Sequence, residues 1–211
     1  MEKISNMTME ELGGRVASVW AGLRPTTRNL FERALQSPSS APAVRNANVY
    51  DARAEWELSR LLAALDDRVH DQAALRLSLE QTRELGRMAE TCALVLHAEA
   101  RSAEVFAQLF ERALAVHDYK RVDRLADTLA ARMPPSEVCE LARHPNPAVR
   151  ALAYETLAQA PTSTLVELLG DPVDAEVARE ALAAQAYDYG SDEARWLLHA
   201  LEHADAEEDE A

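Results

Sequence analysis

Met133-Pro134-Pro135-Ser136-Glu137-Val138-Cys139-Glu140-Leu141 lies over Ala160-Pro161-Thr162-Ser163-Thr164-Leu165-Val166-Glu167-Leu168 at a shift of 27 residues. Pro134 meets Pro161, Ser136 meets Ser163, Val138 meets Leu165, Glu140 meets Glu167 and Leu141 meets Leu168. The register runs on, with Pro145 on Pro172. It also runs back, with Val122-Asp123-Arg124-Leu125-Ala126 on Val149-Arg150-Ala151-Leu152-Ala153. A further step, now of 28, reaches Val177-Ala178-Arg179-Glu180-Ala181. A fixed period of this length marks stacked supersecondary units. Three units follow, at about 118–143, 145–170 and 172–204.

Each unit reads as two helices. In the second, Pro147 suits a first helical turn, where a missing N–H costs nothing. Val149, Leu152, Ala153 and Leu157 then recur at helical spacing. Pro161 stops that helix, Thr162 or Ser163 is placed to cap a short one bearing Leu165, Leu168 and Leu169, and Gly170 is expected to supply a left-handed exit. In the third unit Asp174 is the expected cap, Val177, Ala181 and Ala184 point inward, Tyr189-Gly190 turns the chain, and Ser191 or Asp192 caps the last helix. A helix of two turns is not stable alone in water. It exists only if stacked neighbours hold it, as in a solenoid.

The run Pro134–Ala153, with its paired prolines, Leu141-Ala142, Pro145-Asn146-Pro147 and Val149-Arg150-Ala151-Leu152-Ala153, resembles HEAT-like repeats of bacterial proteins, and most of all the leucine-rich-repeat-variant class. The resemblance spans about 118–204. It implies an all-α, right-handed α-solenoid of HEAT/armadillo-like hairpins. Units here are slightly longer than those of the variant class, which leans toward HEAT. The cysteine cluster of some variant-class proteins has no counterpart, so no iron–sulfur centre carries over.

The expected organisation is an irregular helical region over 1–116, three repeats over 117–204 and an acidic, disordered tail over 205–211. Thr8-Met9-Glu10-Glu11 is a capping box opening a helix along Leu12, Val16, Val19, Trp20 and Leu23. Helices are predicted from Thr26 or Thr27 through Leu35, over about 50–65 with Ala54, Leu58, Leu61, Leu62 and Leu65 inward, and near 71–79, 81–99 and 102–116. Ser37–Pro42 reads as a loop. Leu30-Phe31-Glu32-Arg33-Ala34-Leu35 recurs verbatim at Leu109–Leu114, and Pro42-Ala43-Val44-Arg45 recurs at Pro147–Arg150. Degenerate repeats and coincidence both account for these echoes.

The 211 residues carry a net charge of −14 and are 48% apolar, which excludes wholesale disorder. Residues 1–150 hold 20 basic and 21 acidic groups, whereas 151–211 hold 2 and 15. That acidic end repels phosphate backbones and anionic lipid, so neither nucleic acid nor membrane is an expected partner. No apolar run is long enough to span a bilayer. Met1–Asn6 lacks the apolar core of a signal peptide, so the expected compartment is the cytoplasm. Cys92 and Cys139 stand too far apart and too alone for a disulfide framework or a four-cysteine zinc site, and read as core filler.

The sharpest literal motif is His199-Ala200-Leu201-Glu202-His203, which fits H-x-x-E-H. Zinc catalysis needs a third ligand, and only the acidic run follows, so the leading reading is a solvent-facing histidine pair, with adventitious metal binding as the alternative. No P-loop, G-x-S-x-G or G-x-G-x-x-G is present. His144, matched by Asp171, is read as a structural cap, and Arg150 as a tie between neighbouring repeats. No catalytic, metal-binding or cofactor-binding residue is assigned, and no cofactor is expected.

Function is expected instead on the inner surface of the array, where the second helices form a row and equivalent positions form ladders. Glu140 and Glu167 are equivalent, Glu137 is one turn away, and Arg195 continues the row. Glu137, Glu140, Glu167 and Arg195 are therefore the candidate contacts for a basic or mixed-charge protein segment. The leading reading is a non-enzymatic protein-protein interaction module. The alternatives are a HEAT-like DNA-repair glycosylase, which needs a basic face, and a HEAT-like chromophore lyase or chaperone, which needs an apolar groove.

Overall fold

The computed structural model describes residues 9–36, 50–71 and 77–209, and among them there is no strand. The helices divide into two compact units, one up to Arg101 and one from Ser102 onward. The boundary therefore falls ahead of the helix 102–116, which joins the second unit.

In the first unit the helices are α1 (Met9–Leu12), α2 (Gly14–Gly22), α3 (Pro25–Gln36), α4 (Ala52–His70) and α5 (Leu79–Glu99). The helix expected from Met9 to Leu23 breaks at Gly13, whose φ of 133° suits glycine alone. Arg68 enforces the break, since its Nε donates to the Leu12 carbonyl at 2.6 Å and lies 3.2 Å from where a Gly13 Cβ would stand. Asp51 caps α4 by accepting from Ala54 N, and Ser78 with Gln81 forms a capping box on α5. Phe31, Leu58, Leu61, Leu62, Leu65 and Leu96 form the core. Thr8, the Ser37–Pro42 loop, the 42–45 echo and residues 72–76 of the helix expected near 71–79 lie outside the described residues, and Leu77 and Ser78 precede α5.

The second unit holds α6 (Ala103–Ala115), α7 (Tyr119–Arg132), α8 (Pro135–Ala142), α9 (Pro147–Ala158), α10 (Thr162–Leu168), α11 (Ala175–Tyr187) and α12 (Asp192–Asp209). Chain neighbours pair as α6 with α7, α8 with α9, α10 with α11 and α11 with α12. Contacts also skip one helix: α7 packs on α9 and α9 on α11, while α6 packs on α8 and α8 on α10. Val122, Val149 and Val177, matched in sequence, are all buried, one on each of α7, α9 and α11. Leu165 is the one buried side chain of the seven-residue α10. Burial of a leucine contributes about 2–3 kcal/mol, so α10 is held by neighbours rather than by its own turns.

Two local expectations change. Gly170 is not in the left-handed region; α10 ends on right-handed Leu169, with Gly170 N donating to Glu167 O, so no left-handed residue is required there. Gly190 does take that role, at φ 71°. The acidic run begins inside α12, whose backbone is helical to Asp209, rather than in a separate tail; residues 210 and 211 lie outside the described residues.

Candidate functional site

α8 starts at Pro135, with Pro134 in extended geometry before it, and turns Val138, Cys139, Leu141 and Ala142 inward. That register leaves Glu140 exposed and Glu137 half-buried on the outer side. On α10, buried Leu165 leaves Glu167 and Val166 exposed. α6, on the other side of α8, exposes Glu104 and Glu111. Across α6, α8 and α10 there are thus five carboxylates, Glu104, Glu111, Glu137, Glu140 and Glu167, against one base, half-buried Arg112. Among the described residues Glu137, Glu140 and Glu167 form no ion pair; Glu111 accepts a long bond from Asn146 Nδ2. Their charge therefore faces solvent without an internal counter-ion.

Arg195 stands apart from these carboxylates. It lies on α12, where Nη1 donates to Asp192 at 2.7 Å and Nη2 to the Ala186 carbonyl at 3.2 Å. Its charge closes the α11–α12 turn.

α10 is set in place by a residue that sequence reasoning passed over. Gln185, buried on α11, donates Nε2 to the Ala158 carbonyl at 3.1 Å and to the Ala160 carbonyl at 2.7 Å. Its Oε1 accepts from Thr162 Oγ1 at 3.2 Å. Thr162 thus binds Gln185 and leaves α10 uncapped by any side chain. A lone glutamine in an alanine-rich helix carries no sequence signal for this. The signal that exists is indirect: Pro161 ends α9, so carbonyls near it need donors from elsewhere.

The loops before α9 and α11 share a construction. His144 Nδ1 accepts from Asn146 N at 3.2 Å, and Asp171 Oδ1 accepts from Val173 N at 2.8 Å, which is the same bond 27 residues on. Arg150 does not tie neighbouring repeats. Its Nη1 donates to the carbonyls of His144 and Pro145, within its own turn. Arg143 is the tie, reaching the Val173 carbonyl at 3.1 Å and Asp174 Oδ1 at 2.8 Å. Asp174 therefore stands at the head of α11 with its carboxylate engaged by Arg143 instead of capping the helix. Tyr154 of α9 adds a bond to Glu180 of α11; burial first, then that bond, pushes its hydroxyl up to about 12.

Neither cysteine is poised as a nucleophile. Burial pushes the Cys139 thiol up to about 11, with the Asp174 charge adding to the shift. Cys92, fully buried, is driven up further by the same desolvation. Among the described residues no three His, Cys, Asp or Glu side chains are grouped to hold a metal ion. His199 and His203 are both exposed, their rings in edge contact with centres 4.4 Å apart.

The first unit buries charge. Glu57, almost fully enclosed on α4, accepts from Arg24 Nε at 3.1 Å, from Arg24 N at 3.3 Å and from Thr27 Oγ1 at 2.5 Å. Arg24 also takes Asp51 at 2.9 Å. Desolvation raises the Glu57 pKa, but the bonds from Thr27 and Arg24 outweigh it and hold the carboxyl below its ordinary range. Its place three residues after Ala54 and four before Leu61, on the apolar side of α4, is the sequence signal of a charge that folding must pair.

Among the described residues no helix is long and apolar enough to cross a membrane. No family model, no curated protein and no solved structure matches this chain.

Proposed function

We propose that the chain is a non-enzymatic protein-binding module whose second unit is a short right-handed α-solenoid of HEAT-like hairpins. The outer side of α6, α8 and α10 takes a basic or mixed-charge segment of a partner protein. The alternating helix contacts, the equivalent valines and the repeated His144 and Asp171 turns support the repeat reading. One observation carries the functional reading: Glu137, Glu140 and Glu167 sit on two packed helices and, among the described residues, have no ion pair of their own. Exposed pairs are individually weak, at about 0.2–1 kcal/mol, so recognition depends on several acting together and on low screening.

The test is partner capture from native cells on the immobilised chain, against the double variant E140K/E167K. Each reversal replaces attraction by repulsion, and about 1.4 kcal/mol in total weakens binding tenfold. The expected result is a partner eluted by moderate salt and lost with the variant. Recovery unchanged by the double reversal refutes the reading.

A further inference from the structure

Beyond protein binding, the histidine pair on α12 has a geometry of its own. His199 and His203 are four residues apart and so share one side of the helix. Both are exposed, and their ring centres lie 4.4 Å apart at an interplanar angle of 64°.

That separation is within the reach of two rings that share one ion. With nitrogen–metal bonds of about 2.1 Å, two imidazoles meeting at a metal at about 90° bring their ring centres to about 4.5 Å, whereas a tetrahedral angle spreads them to about 5.2 Å. Small rotations of the two exposed rings about χ1 and χ2 reach either separation from the observed one, and Cu2+ and Ni2+ are the favoured ions because the affinity of imidazole sites rises along the first-row series toward copper.

The surroundings favour a dication. α12 carries seven acidic residues and one arginine, Arg195, whose charge is already engaged by Asp192. Such a field concentrates divalent cations near the helix. Among the described residues no third protein ligand is grouped with the pair.

We infer that His199 and His203 form a two-imidazole chelate for a late first-row divalent ion, Cu2+ or Ni2+, on the exposed side of α12. Chelation bridges the turn between the two residues and staples the helix just before its acidic end. The inference is independent of the protein-binding reading, because none of Glu137, Glu140 or Glu167 takes part.

The experiment is calorimetric titration of the untagged full chain with NiCl2, followed in parallel by tryptophan fluorescence, of which the part from Trp196, one turn before His199, responds to an ion at the pair. Wild type is expected to bind one Ni2+ and to show quenching. H199A or H203A leaves a single-point contact and weakens binding by about a hundredfold or more, since the second ring acts at high effective concentration. H70Q, at an exposed histidine in the other unit, is expected to change nothing. Both target side chains are exposed, and unchanged helicity by circular dichroism confirms that each variant is folded. With CuCl2, electron paramagnetic resonance is expected to show two nitrogen donors. One-to-one binding that survives in H199A/H203A, or a single-nitrogen spectrum, overturns the inference.

Discussion

Gln185→Met removes the clasp that positions α10 while nearly preserving side-chain volume. Three bonds are lost: Nε2 to Ala158 O, Nε2 to Ala160 O, and Thr162 Oγ1 to Oε1. The contact with Ala158 is buried, so that carbonyl loses its donor where water does not replace it, at about 1–3 kcal/mol. The contact with Ala160 is half-buried and costs about 1 kcal/mol. The methionine recovers up to about 1 kcal/mol by burying apolar surface. The net loss is about 2–3 kcal/mol, and at about 4 °C for each kcal/mol the second unit's Tm falls by about 8–12 °C. Gln185→Glu keeps the shape but sets carboxylate oxygens against two carbonyls, so it is expected to cost more than Met. Urea unfolding followed by circular dichroism measures the loss. Hydrogen exchange locates it, with protection falling first in α10 and at the end of α9. A change under about 0.5 kcal/mol, or α10 amides as protected as in wild type, refutes the clasp.

Other outcomes follow from the same geometry. Gly190→Ala places a Cβ in the left-handed region and costs about 1–2 kcal/mol, whereas Gly170→Ala is nearly neutral because that residue is not left-handed and its added Cβ makes an ordinary contact with the Glu167 carbonyl; paired melting curves decide both. Because Glu57 titrates lower in the folded chain than in the unfolded one, its contribution is complete above the ordinary glutamate range and is lost as pH falls through the folded value. Urea midpoints of the wild type should therefore drop only once pH falls into and below the ordinary glutamate range, and E57Q should be weaker at neutral pH with a flatter acid limb. Cys139, raised to about 11 and buried, should resist iodoacetamide at pH 8 in the native chain and react on unfolding, as mass spectrometry reads.

Much of the helical pattern was legible because it rests on local periodicity. Pro147, Val149, Leu157 and Pro161 bound α9 as their spacing suggests, and Tyr189-Gly190 turns the chain as expected. What the sequence hid depends on partners far along the chain. Gly13-Gly14 permits the break, but what fixes it is Arg68 reaching the Leu12 carbonyl, 56 residues away in sequence. Arg143 and Arg150 are both arginines near a helix end, yet one crosses to Asp174 and the other closes its own turn. Of the candidate contacts, Glu137, Glu140 and Glu167 lie on two helices in contact, as the shift implies, while Arg195 is drawn into a local turn by Asp192. Loop chemistry was readable where it repeats, as at His144 and Asp171, and unreadable where it occurs once, as at Gln185.

The central claim places a basic partner on α6, α8 and α10 rather than anywhere in the acidic field of the chain. Amide chemical-shift mapping with a lysine- and arginine-rich peptide tests it most directly. The account predicts shifts concentrated around Glu137, Glu140 and Glu167, fading with added salt and abolished by E140K/E167K. Shifts centred on α12, or spread evenly over every acidic residue from 151 onward, contradict it.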